Sequence, residues 1–179
     1  MTLEQLREYI QYSNSYTRLL DMLNCYEDCA AADWLRVIGE EWQSCDNIGF
    51  HKAALLGILP RSTEPLMMTH EEMAELDALP DMLMVYRGAD RGVNECGLSW
   101  SLDREVAAQF PFLGRYQASN PVLVVGHVSK RHVVALKNGR EERELIIMAV
   151  VSIECVHALD KAEGGATVSV VPSTRTDAS

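Results

Sequence analysis

No apolar run in this chain approaches the eighteen or more residues of a membrane span. The N-terminus, MTLEQLREYI, reads as a polar helix start rather than a secretory leader, so the expectation is a cytoplasmic protein that meets no membrane. Regular cysteine spacing is missing too. Five cysteines, an odd number, read as reduced thiols rather than a disulfide framework. Cys25, Cys29, Cys45 and His51 match no standard zinc-finger spacing, and no metal site is assigned. Positive charge is in deficit. Sixteen Lys and Arg against twenty-six Asp and Glu give a formal charge of −10, which repels phosphate backbones and argues against nucleic-acid binding. Internal repeats are absent. With 47% hydrophobic and 23% charged residues in 179, the composition is that of a globular protein and excludes a disordered chain.

What is present is unevenly distributed. Residues 1–75 carry five basic and thirteen acidic side chains, whereas residues 76–179 carry eleven and thirteen, so the second part tolerates an anionic ligand better. The first sixty residues show no strand alternation. Leu3, Leu6, Tyr9 and Ile10 follow a Thr2-x-x-Gln5 capping box at helical spacing. Tyr16, Leu19, Leu20 and Leu23 make a second apolar face, Trp34, Leu35, Ile38 and Trp42 a third, and a further helix is expected near Lys52–Leu59. Trp34 and Trp42 read as core anchors. Pro60 and Pro65 close the segment, and Thr69-x-x-Glu72 opens a short helix that Pro80 stops.

After residue 80 the pattern turns β-like. MLMVYRG (82–88), GLSWS (97–101), PVLVVGHV (121–128) and VVAL (133–136) read as strands, and ELIIMAVVSIECVHAL as one or two more. Asp103 is placed to cap a single helix before Pro111, PFLGRYQASN reads as a loop, and Gly164-Gly165 as a last bend. Helices first and strands later predict an α+β fold. The expected division is a helical segment over 1–75, a mixed β-sheet core over 76–171, and a flexible tail over 172–179.

Three polar interruptions stand out in the apolar strands: Arg87, the pair Ser99 and Ser101, and the pair Glu142 and Glu144. In an extended strand, residues two apart share a face, so each pair projects together while Trp100 enters the opposite layer. Two carboxylates on one face before Leu145–Val151 are costly unless a cation meets them, and Arg87 or a cationic ligand is the expected partner.

The series Val85-Tyr86-Arg87-Gly88, Gly97-Leu98-Ser99-Trp100-Ser101 and Glu142-Arg143-Glu144 resembles, in order, the motifs of the R-S-E class of ADP-ribosyltransferases. The likeness covers roughly residues 80–150, and its compact form looks similar to small phage- or plasmid-type members, with Trp100 where the family's S-T-S triplet has threonine. The resemblance implies an ADP-ribosyltransferase-like core and NAD as co-substrate. Arg87 would hold its phosphates and nicotinamide ribose, and Gly88 would let backbone approach the nicotinamide amide. Ser99 would hydrogen-bond the catalytic Glu144, and Ser101 would support the same strand edge. Glu144 would stabilise the ribosyl cation as neutral nicotinamide departs, and Glu142 would orient or deprotonate an acceptor, arginine first. The loop Lys137-Asn138-Gly139-Arg140 would meet that acceptor, and Phe112 or Tyr116 would stack on the nicotinamide ring. The partner implied is a protein acceptor.

Each residue also has a plainer reading. Arg87 as a strand end paired to Asp90, the serines as helix caps, and the glutamates as a solvated turn remain open. His127, His132 and His157 are unassigned. Two other functions stay in view: an NAD glycohydrolase, with water in place of the acceptor, and a non-catalytic interaction protein whose acidic helices bind a basic partner.

Overall fold

The structure, a computed structural model, describes residues 1–113, 117–139, 142–162 and 165–168. The expected bend at Gly164-Gly165 and the tail over 172–179 fall at least partly outside the described residues. The chain is α+β. Helices α1 (Leu3–Gln11), α2 (Arg18–Asn24), α3 (Ala31–Glu41), α4 (Lys52–Ile58) and α5 (His70–Ala78) precede the strands β1 (Met82–Asp90) and β2 (Ser99–Ser101). Helix α6 (Arg104–Gln109) follows, and then come β3 (Pro121–Ser129), β4 (Val133–Lys137), β5 (Glu144–Ile147), β6 (Ser152–Ala162) and β7 (Gly165–Val168).

Local chemistry accounts for where the helices begin. Thr2 and Thr69 each accept a hydrogen bond from the backbone N–H three residues on, and the side chains of Gln5 and Glu72 return one, completing both capping boxes. The Asp103 carboxylate accepts from the N–H groups of Glu105 and Val106 at the start of α6. The second apolar face is narrower than the spacing suggests. α2 starts only at Arg18 and turns Leu19 and Met22 inward, leaving Tyr16 and Leu20 exposed.

The strands lie in the order β4-β5-β2-β1-β3-β6-β7. Every described pairing is antiparallel, so the sheet is not mixed as expected. The connections over 91–98 and 138–143 are too short for the crossover of a dozen or more residues that parallel neighbours require.

The apolar strands are buried on both faces. Along β5, Ile146 joins the helical core with Leu6, Leu19, Trp34, Ile38 and Trp42, whereas Leu145 and Ile147 enter a second cluster with Trp100, Val85 and Leu76. Along β3, Val122 and Val124 face that second cluster, while Leu123 and Val125 meet Ala107 and Ala108 of α6. Trp100 is buried, as the alternation of β2 requires. The helical segment therefore covers the β4–β5 end of one face, and α6 covers the β1–β3 end, leaving an opening between them.

Candidate functional site

That opening is a cavity of about 650 Å³ above the junction of β1, β2 and β5. Register brings the strands together there: Tyr86 pairs with Ser101, and Ser101 pairs with Glu144. Arg87, Gly88, Ser99, Ser101, Glu142 and Glu144 all line the cavity. The volume lies within the usual range for small-molecule sites.

Arg87 is held by main chain. Its Nε donates to the carbonyl of Asn94 at 2.9 Å and its Nη1 to the carbonyl of Ser99 at 2.6 Å. Gly97 makes room for it, because a Cβ there would overlap the guanidinium. The carboxylate of Asp90 is taken up by the N–H groups of Ser119 and Asn120. Gly88 has its own steric reason: a Cβ would strike the carbonyl oxygen of Ala107 and the ring of Pro111, so its absence lets the end of α6 close on β1.

The serines part company. Ser101 Oγ donates to the carbonyl of Glu142 at 2.8 Å and accepts from the N–H of Asp103 at 2.9 Å, stitching β2 to the approach to β5. Ser99 Oγ is buried and has no hydrogen-bond partner among the described residues. It does not bond Glu144, contrary to the expectation. The donor to Glu144 is Trp42, whose Nε1 reaches Oε1 at 3.0 Å.

Glu142 and Glu144 do share the cavity, but not by strand alternation. β5 begins only at Glu144, and Arg143 has φ of 44°, a left-handed backbone that no extended strand contains. The turn is secured by Arg143 Nε donating to Glu75 Oε1 at 2.7 Å and by Leu102 N–H donating to the Arg143 carbonyl.

Phe112 does not line the cavity. It lies in a 3₁₀ turn, Phe110–Phe112, that continues α6, and it packs with Ala107, Leu123 and Leu159. The same turn sends Phe110 to the cavity instead. Tyr116 lies outside the described residues, as does Arg140. Lys137, expected in an acceptor-contacting loop, is buried: its Nζ meets Glu72 Oε2 at 2.7 Å and the Met67 carbonyl at 2.9 Å.

Sequence reasoning missed the wall contributed by the helical segment, where Trp42, Gln43 and Phe50 line the cavity and Lys52 Nζ donates to the carbonyl of Cys96. Phe50 is 86% exposed at that rim. Trp42 carried no signal beyond its apolar periodicity, because its partner is 102 positions away. Cys45 also lines the cavity, but burial pushes its thiol up to about 12, so it is no nucleophile near neutral pH. Among the described residues no group of three or more His, Cys, Asp or Glu is placed to hold a metal ion, and no helix is long and apolar enough to cross a membrane. No family model matches the chain, and neither a curated protein nor a solved structure does so.

Proposed function

We propose that this protein is a mono-ADP-ribosyltransferase that breaks the nicotinamide glycosidic bond of NAD and transfers ADP-ribose to a protein side chain, arginine first. The observation that carries the reading is the convergence of Arg87 and Glu144, distant in sequence, on one cavity between three adjacent strands. The buried Ser99 Oγ in the same wall, without a hydrogen-bond partner among the described residues, adds a donor or acceptor that a polar ligand would satisfy.

In this reading the Arg87 guanidinium, pre-set by two carbonyls, neutralises the phosphates. Glu144 faces the ribose, where negative charge favours departure of the base. The N1–C1′ electron pair leaves with neutral nicotinamide, the acceptor nitrogen forms the new bond to C1′, and Glu142 takes the acceptor's proton. NAD and acceptor thus give ADP-ribosylated acceptor, nicotinamide and one proton.

The test is nicotinamide release from labelled NAD with cell lysate as acceptor source. Glu144→Gln is expected to lower release by ~100-fold or more, the scale on which electrostatic stabilisers act. Label on protein supports the transferase, and release without label makes the protein a glycohydrolase. Equal behaviour of Glu144→Gln and parent rejects both.

A further inference from the structure

The restraint on Glu144 comes from outside the sheet. Ile146 shares the face of Glu144 on β5 and is buried in the same cluster as Trp42, which is 0% exposed. From that fixed ring, Nε1–H donates to Glu144 Oε1 at 3.0 Å. Among the described residues no other donor reaches this carboxylate by hydrogen bond, and the nearby hydroxyl of Ser99 makes no bond at all.

We propose that Trp42 is the positioning residue for Glu144: the helical segment, through one indole N–H, sets the plane of the carboxylate that the proposed function assigns to the ribose. The inference rests on that reading of Glu144. A glutamate side chain has three rotatable bonds, and holding it costs conformational entropy that a rigid partner reduces. Indole is a donor only, whereas a serine hydroxyl can rotate or turn acceptor, so Trp42 engages Oε1 in one sense alone. Among the described residues no donor reaches the second oxygen, which is the one offered to a substrate hydroxyl. The helical segment is then part of the catalytic apparatus rather than an appendage.

The experiment replaces Trp42 with benzothienylalanine, which keeps the bicyclic shape and removes the N–H, and separately makes Trp42→Phe. Nicotinamide release is followed at varied NAD, alone and combined with Glu144→Gln. The benzothienyl protein is expected to lose ~10-fold to ~100-fold in kcat, the worth of a hydrogen bond to a charged group, with KM changed less than about twofold. Trp42→Phe combined with Glu144→Gln is expected to be no slower than Glu144→Gln alone, because the indole acts through the carboxylate. An unchanged kcat in the benzothienyl protein, or an added loss in the double variant, overturns the positioning role while Glu144→Gln still upholds the enzyme. A parent that releases no nicotinamide removes the enzymatic reading itself, and the inference with it.

Discussion

At the scale of single residues, the space beside Arg87 is set by what Gly97 lacks. A methyl at 97 must displace the far end of a flexible arginine, so Gly97→Ala should leave the fold intact and cost Arg87 its two carbonyl contacts. The expected result is a weaker, right-shifted melting-temperature response to NAD, with the ligand-free melting temperature moved by no more than a few degrees. Cysteine behaviour divides by burial. Cys96 is exposed and Cys45 buried, so iodoacetamide at pH 8 should modify Cys96 and reach Cys45 only in denaturant, which peptide mass mapping checks. Because desolvation raises the Cys45 thiol from its ordinary range to about 12, the fold favours its protonated form. That contribution is present below about pH 9 and is lost as the pH rises toward 12. Urea titrations should therefore show the parent losing stability faster than Cys45→Ala across that window.

At the scale of elements, α5 does more than its cap suggests. Thr69-x-x-Glu72 was legible as a helix start, yet the same Glu72 carboxylate is buried, pairs with Lys137 and accepts from the Asn138 N–H. Glu72→Gln strands a buried ammonium and should cost about 3–5 kcal/mol, the range for breaking a buried pair. Thr2→Ala removes an exposed cap and should cost only about 1 kcal/mol. Urea denaturation of the two variants tests the ordering. The strand sites divide in the same way. Trp100 inward and Ser99 beside Ser101 follow from period two, but the Glu142 and Glu144 pair depends on the left-handed Arg143; a turn at these glutamates is one open reading of the sequence, yet no local pattern announces that backbone.

At the scale of the molecule, helices and sheet share one core. Val134, Ala135, Ile146 and Met148 lie buried against the helical residues, and without them that sheet face meets water. Deleting residues 1–60 should therefore yield an aggregating or molten protein rather than a soluble catalytic fragment, which dye binding and near-ultraviolet dichroism would report. The deletion also removes Trp42 from Glu144, so in that variant loss of the helices cannot be separated from loss of the proposed activity.

Element type and much of element placement were written locally. Capping boxes, helical spacing and apolar strand runs are short-range signals, so α1, α3, α5 and the strands that carry Arg87, Ser99 and Glu144 could be located from residues alone. Their meeting around one cavity was suggested by a resemblance of motifs, whereas the strand register that joins them is a property of the fold. Partners across long separations were not legible: Trp42 with Glu144, Glu72 with Lys137, and Phe110 rather than Phe112 at the cavity. Such pairs depend on how layers stack and where a turn reverses, and periodicity along one segment carries no information about the segment that comes to cover it.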